Sequence, residues 1–314
     1  MSLQYLAARL PINHPKLPQV QQSLFMRRAG EGGEREVLSY LQEALYSLPS
    51  FILHNFHVRV PKHFSIQIDY LVLTNNYILM IEVKNIKGRI TFKPNPAQMI
   101  RELDGDLIAM DCPFAQLDRN LIHFKKLIGQ VSLPIYTAIV WVNRSAILNQ
   151  PPLNSPHQLI FIKQLPHYLN QLDGLPNQVI DLHSLVKRLK SKATPFYLSD
   201  ICERYSLAPN ELLSGLICMS CYTLMTLHAR TWICSRCKMK NNYMLDENIL
   251  CAFDLLGDNL QMNELRQLLP FLYSRNLEKL IETGSIRRTS PKKNRVYSLE
   301  RTTKVHWIKW NGIN

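Results

Sequence analysis

Apolar residues recur at helical spacing in Glu34–Leu48, where Val37, Leu38, Leu41, Ala44 and Leu45 share one face. That spacing predicts a helix opened by Gly30, Gly32 and Gly33. Phe51–Val60 reads as a strand ended by Pro61. Two apolar runs, Ser65–Leu73 and Tyr77–Val83, flank Thr74-Asn75-Asn76. Asparagine tolerates positive φ, so Asn75-Asn76 predicts a tight hairpin turn. Ile90–Phe92 suggests a further short strand. Pro113–Leu127 sets Phe114, Leu117, Leu121, Phe124 and Leu127 on a helical face with basic residues between. Ile135–Val142 and Leu159–Ile162 are continuous apolar runs of buried-strand type, with helices predicted near His167–Leu172 and Leu182–Lys192. Together these elements predict a mixed α/β domain over residues 1–195.

The pattern then changes. Residues 196–243 read as a linker followed by paired cysteines, and residues 244–314 as a third segment. Asn248–Leu256, Met262–Leu269 and Arg275–Glu282 have short helical patterns punctuated by Gly257, Pro270 and Gly284. Ser285–Thr289 and Arg295–Leu299 read as strands around Ser290-Pro-Lys-Lys-Asn294. Three helices and a basic two-stranded wing resemble a winged helix-turn-helix, with the helix from Ser274 as its candidate major-groove element.

Composition narrows the function classes. The 314 residues carry 37 Lys+Arg against 24 Asp+Glu, a net charge of +13, which suggests a polyanionic partner, nucleic acid or an anionic membrane. No run approaches the roughly 18 apolar residues of a membrane span, and the N-terminus lacks the pattern of a secretory signal. Seven cysteines in a chain of this length do not indicate a disulfide scaffold, so a reduced, cytoplasmic, soluble protein is expected. The sequence contains no P-loop, no nucleophile elbow, no dinucleotide fingerprint and no H-E-x-x-H. Residues 275–309 hold ten Lys/Arg and three Asp/Glu, more than half of the net charge. Arg287, Arg288, Lys292, Lys293 and Arg295 cluster on the proposed wing and suit phosphate contacts to DNA.

The chemistry concentrates in two apolar strands. Ile68-Asp69-Tyr70-Leu71-Val72-Leu73 is apolar except for Asp69, and Ile78–Val83 is apolar until Glu82. A charge in such a strand is costly unless paired or bound to metal. If Asn75-Asn76 forms a two-residue turn, Thr74 pairs with Tyr77 and Asp69 lies opposite Glu82. The Cβ atoms of directly opposed residues sit about 4.5–5.5 Å apart. A divalent cation would relieve the repulsion, and two carboxylates with an intervening carbonyl suit Mg²⁺. Alternation places Lys84 on the face of Glu82, with Gln67 across from it. Lys84 could then orient a metal-bound water or the scissile phosphate. The alternative is a strand whose polar residues simply pair with one another, as in an Asp–Lys bridge.

Asp…Glu-x-Lys on adjoining strands resembles the PD-(D/E)XK nuclease superfamily. More closely, Gly33-Glu34, Gln67-Ile68-Asp69, Ile81-Glu82-Val83-Lys84-Asn85, Gly88, Gln98-Met99-Ile100-Arg101 and Pro113–Gln116 resemble the NERD (nuclease-related) domain over residues 25–190. The resemblance implies a restriction-endonuclease-like α/β core and a Mg²⁺-dependent nuclease. Asp69 and Glu82 would bind Mg²⁺ or Mn²⁺, and Lys84 would be catalytic. Glu34 would aim at the same site from the first helix, and Gln116 would lie near substrate phosphate or the attacking water. Ile68-Asp69 stands where the superfamily's nominal motif has Pro-Asp.

Cys218-Met-Ser-Cys221 and Cys234-Ser-Arg-Cys237 supply four thiolates at C-x2-C-x12-C-x2-C spacing, which resembles a zinc ribbon. Four sulfurs favour Zn²⁺ over hard cations, and a closed S₄ set is structural. Redox dithiols are the alternative. Three functional readings follow: a Mg²⁺-dependent DNA nuclease whose zinc ribbon and winged helix hold substrate, a non-catalytic DNA-binding scaffold, and an RNA-acting nuclease.

Overall fold

The computed structural model describes residues 2–45, 49–60, 64–194, 200–229, 231–240, 244–289, 295–301 and 306–310. The elements begin with helices α1 (Ser2–Arg9) and α2 (Leu17–Ala44) and strands β1 (Ser50–Val60), β2 (Phe64–Leu73) and β3 (Ile78–Lys84). Strands β4 (Arg89–Pro94), β5 (Ala97–Leu103) and β6 (Asp106–Asp111) lead into helix α3 (Pro113–Ile128). Then come β7 (Ile135–Trp141), β8 (Ile147–Asn149), β9 (Gln158–Phe161), α4 (Leu165–Asp173) and α5 (Leu182–Lys192). The remainder comprises α6 (Ile201–Arg204), β10 (Met225–His228), β11 (Thr231–Cys234), α7 (Met244–Leu256), β12 (Asn259–Gln261), α8 (Met262–Leu268), α9 (Arg275–Glu282), β13 (Ile286–Arg288), β14 (Val296–Leu299) and β15 (His306–Trp310).

The chain folds into two compact units, one of Arg28–Phe196 with Thr303–Asn314, the other of Met1–Arg27 with Tyr197–Thr302. This differs from the three consecutive segments read from the sequence, and apolar burial is the reason. Leu3, Tyr5, Leu6, Leu10, Leu17 and Val20 share one core with Ile249, Phe253, Leu265, Leu277 and Tyr297. Arg9 is fully buried there, and its guanidinium donates to the carbonyls of Leu213 (2.6 Å), Gly215 (2.9 Å) and Leu268 (3.4 Å) and to the Tyr5 hydroxyl. At the other end of the chain, β15 pairs with β1, which puts it in the first unit.

In the first unit a mixed sheet runs β15-β1-β2-β3-β7-β9, with β3, β7 and β9 parallel and the rest antiparallel. Its strands are buried on both faces, which explains their unbroken apolar runs. One face packs on Val37, Leu41 and Leu45 at the end of α2 and on Leu165 and Leu169 of α4. The other packs on Phe124 and Ile128 of α3 and on Leu182, Leu185 and Leu189 of α5. A second sheet, β6-β5-β4-β8, covers Ile139 and Trp141 of β7 through Ile90, Phe92 and Met99. The mixed α/β architecture expected from the sequence is therefore present.

Two local expectations need correction. Helix α2 runs straight through Gly30, Gly32 and Gly33 rather than starting after them. Asn85 packs so closely that a Cβ at Gly33 would sit 2.9 Å from Asn85 Cβ, and Asn85 Nδ2 donates to the Ala29 carbonyl (2.8 Å). Glycine there is a packing requirement within the helix, not a boundary. The β2–β3 turn closes with Thr74 N–H donating to the Tyr77 carbonyl (3.0 Å), but neither Asn75 nor Asn76 has positive φ. Instead Thr74 Oγ1 accepts from the N–H groups of Asn76 and Tyr77, each at 3.1 Å, and Asn76 Nδ2 donates to the carbonyls of Asp173 and Leu175.

In the second unit, β10 and β11 form a hairpin whose second strand ends at Cys234, and α7, α8 and α9 pack on a three-stranded antiparallel sheet of order β12-β14-β13. Strand β12 was not expected from the sequence. It is three residues long and only Leu260 is buried, too little for a period to show. No helix among the described residues is long and apolar enough to cross a membrane.

Candidate functional site

The register of β2 and β3 pairs Leu73 with Ile78, Val72 with Leu79, Leu71 with Met80 and Tyr70 with Ile81. Asp69 and Glu82 are the next positions in that register, and the ladder ends before them. The strands part there, and Asp69 Oδ2 accepts the freed Val83 N–H at 2.8 Å. Glu82 is buried, while Lys84 remains partly accessible. Lys84 Nζ lies 2.6 Å from Glu82 Oε1 and donates to Gln116 Oε1 at 3.3 Å. Gln116 Nε2 donates to Glu82 Oε2 at 2.8 Å. Gln116 stands in the first turn of α3, directly after the Cys112-Pro113 start of the helix. One turn further, Asn120 is buried and donates to the Gln67 carbonyl (2.8 Å), which fixes α3 against β2.

Four of the five residues expected to form the site thus converge where β2 and β3 diverge. Burial pushes the Asp69 carboxyl well above the usual carboxylate range, and the neighbouring charge of Glu82 adds to it. Glu34 contributes in the same direction and Lys84 opposes it. A buried carboxyl crowded by two others is what a divalent cation would relieve. The donor set is hard oxygen, which fits Mg²⁺ or Mn²⁺ and not a soft metal.

Glu34 itself is engaged differently. Its Oε2 lies 2.5 Å from His54 Nε2 and accepts from Asn55 Nδ2 at 3.3 Å, and its backbone carbonyl accepts from the Tyr70 hydroxyl (2.8 Å). The His54 ring stacks on Tyr70 with centroids 4.7 Å apart. Asn55 has φ +53, and the β1–β2 pairing passes from His54↔Tyr70 to Phe56↔Ile68 without it. At this left-handed position the Asn55 side chain bonds Glu34 and Gln67. Gln67 Nε2 donates to Asn55 Oδ1 (3.1 Å), so Gln67 does not face Lys84 as alternation suggested. His54 and Asn55 were missed from the sequence, where a polar pair in an exposed-looking strand gives no periodic signal. Gly88, by contrast, has a backbone role: its φ is +106 and a Cβ would meet the Glu102 carbonyl oxygen at 2.5 Å.

The cysteines form the second site. Cys218 Sγ lies 3.6 Å from Cys237 Sγ, and Cys221 Sγ lies 3.4 Å from Cys234 Sγ. All four sulfurs fall within 4.8 Å of one another and could hold a metal such as zinc. Tetrahedral Zn–S bonds of about 2.3 Å imply sulfurs about 3.8 Å apart. Among the described residues this is the only group of three or more His, Cys, Asp or Glu side chains so gathered. The two C-x-x-C turns repeat one geometry. Tyr222 N–H donates to the Cys218 carbonyl (2.7 Å) and Lys238 N–H to that of Cys234 (3.0 Å), with φ of +56 and +59. The N–H of Cys218 returns to Thr223 and that of Cys234 to Met239. Burial opposes ionisation of Cys234, but the N–H groups of Cys237 and Arg236 and the Cys221 thiol lower its pKa to about 6.

On the wing, Arg287 and Arg288 are accessible but each has a carboxylate partner, Glu300 at 2.6 Å and Glu278 at 2.8 Å. Arg295 is half-buried, and Lys292 and Lys293 lie outside the described residues.

Comparison of the chain with curated proteins and with solved structures gives no match. A family model does match, the nuclease-related domain NERD, over residues 29–142. That span contains Glu34, Asp69, Glu82, Lys84 and Gln116 together with the paired strands that assemble them, and over it the chain carries a NERD nuclease-related domain.

Proposed function

We propose that this protein is a metal-dependent nuclease that hydrolyses phosphodiester bonds in DNA. The supporting observation is the contact of Glu82 with both Lys84 and Gln116 beside the buried Asp69, at the fork between β2 and β3 and inside the NERD match. Asp69 and Glu82 would hold Mg²⁺ or Mn²⁺, which supplies charge for the pentavalent transition state and an acidified water. Lys84 sits where it can hold that water or a phosphate oxygen once Glu82 turns to the metal. Gln116 keeps Glu82 and Lys84 in register and is free to donate to phosphate. Glu34, held by His54 and Asn55, adds negative charge beside Asp69 and strengthens the cation site. Zinc at the four cysteines would be structural.

The order helix–strand–helix–helix–strand–strand in residues 244–299, with α9 as third helix, supports the winged-helix reading of that segment. Its wing arginines would contact DNA phosphate in exchange for Glu278 and Glu300. A second reading is a non-catalytic DNA-binding scaffold. The engagement of both Glu82 oxygens by Lys84 and Gln116 favours it, since such a network is complete without metal.

The deciding experiment compares the full chain with Lys84→Ala on supercoiled and linear DNA, with Mg²⁺, Mn²⁺ or EDTA. Metal-dependent cleavage that falls about 10²–10³-fold in the variant is expected, because the group acts on transition-state charge. Nicking against shortening of ends distinguishes endo- from exonuclease action. Binding without cleavage by either protein would favour the scaffold. Cleavage of RNA alone would redirect the substrate assignment.

A further inference from the structure

Helix α3 presents three side chains to three different tasks. Asp118 is tied to His157, Nε2 to Oδ1 at 2.9 Å, and Asn120 is tied to Gln67. Arg119 lies between them, is exposed, and makes no hydrogen bond or ion pair among the described residues. It lines a cavity of about 410 Å³ together with Ala97, Asp111, Cys112, Ala115 and Gln116. Arg119 is the only cation of that lining and Asp111 the only acid. Gln116 therefore has two sides: its amide touches Glu82 and Lys84, and it also borders a space with an unpaired guanidinium across one helical turn.

A nucleic-acid strand whose scissile phosphate reached Lys84 and Gln116 would carry its next phosphate a nucleotide away. We propose that Arg119 binds that flanking phosphate and so sets the path of the substrate strand across the start of α3. This rests on the nuclease reading of the site and assigns it a substrate-positioning residue. An arginine suits the task, since its planar fork matches two phosphate oxygens and stays charged at any working pH. Asp111 borders the same space with the opposite sign. It would repel a phosphate there, so the two residues make opposed predictions that a merely structural role for either would not produce.

The test uses the full chain and a fluorescein-labelled DNA oligonucleotide in EDTA, so that binding is read by anisotropy without cleavage. Arg119→Ala is expected to raise Kd about three- to tenfold and to lower the slope of log K against log salt by about 0.7–0.9, the share of one phosphate contact. Arg119→Lys should retain most of the slope. Asp111→Asn should tighten binding. Unchanged Kd and slope in Arg119→Ala, or weaker binding in Asp111→Asn, would overturn the assignment. The Lys84→Ala cleavage comparison reports on the nuclease reading alone, so its failure is distinguishable from a failure of the Arg119 contact.

Discussion

The four-cysteine cluster, which could hold a metal such as zinc, and the carboxylate fork between β2 and β3 are built in opposite ways. The cysteines lie on two short turns of the same geometry, close in sequence, with each first cysteine's carbonyl and N–H bonded within its own turn. Little besides the metal would be needed to close the set, and no ligand position is left open. The fork gathers Asp69, Glu82 and Lys84 from two strands and Gln116 from α3, with Glu34 of α2 held apart by His54 and Asn55. Its acids are held by protein groups, and Asp69 is driven toward its neutral form. A structural site can be local and complete. The fork instead depends on the surrounding fold to hold its unfavourable charges together.

Removing the metal should separate the two most strongly. The cysteine hairpin packs Cys218, Met225 and Cys234 against Met244 and Phe271, with Trp232 4.7 Å from the Phe271 ring. Zinc at such a site contributes on the order of 10 kcal/mol to folding. A zinc-selective chelator, or Cys234→Ser, should abolish the cooperative melting of this unit in calorimetry, with one zinc per chain lost by elemental analysis. Glu82→Ala should leave the zinc content unchanged. A chain that keeps its melting transition without zinc would remove the distinction.

A smaller effect of opposite sign is expected at the fork. With a folded pKa above the unfolded one, Asp69 favours folding most below the ordinary carboxylate range, and that contribution is lost as pH rises through its folded pKa. Asp69→Asn keeps an oxygen for the Val83 N–H and removes the charge. In EDTA near pH 7 it should raise the melting temperature, because the costly buried charge is gone. If Asp69 and Glu82 hold Mn²⁺ as proposed, adding Mn²⁺ should raise the melting temperature of the parent protein and leave that of Asp69→Asn unchanged. A lower melting temperature would show that the charge is not costly.

The smallest effect concerns Asn55. Asn55→Ala loses its bonds to Glu34 and Gln67 and replaces an asparagine, which tolerates left-handed backbone, by an alanine, which tolerates it less well, at φ +53, at a cost of about 1–2 kcal/mol in urea unfolding. Asn55→Gly should recover the backbone part only. Equal losses in the two would place the whole role in the side chain.

The residues differ in how legible they were. Asp69 and Glu82 stood out because a charge in an apolar strand needs a reason, and their opposition followed from the turn. The turn itself came from Thr74 and Asn76 side chains rather than left-handed asparagines, so a correct register had a different cause. The hairpin of β5 and β6 was missed because β6 is exposed on both faces, including Leu107, and shows no alternation. His54 and Asn55 were missed because their meaning depends on a kink and on a helix twenty residues away.

By itself, the sequence determined what short range can determine: the period of each buried strand, the pairing across a two-residue turn, and four sulfurs at metal-ligand spacing. Only the tertiary structure decided which charges meet at the fork, that Glu34 is shared with His54, and that α1 belongs with the far end of the chain. Those outcomes depend on contacts between distant segments, where burial of apolar surface sets the arrangement and polar groups take the partners it leaves them.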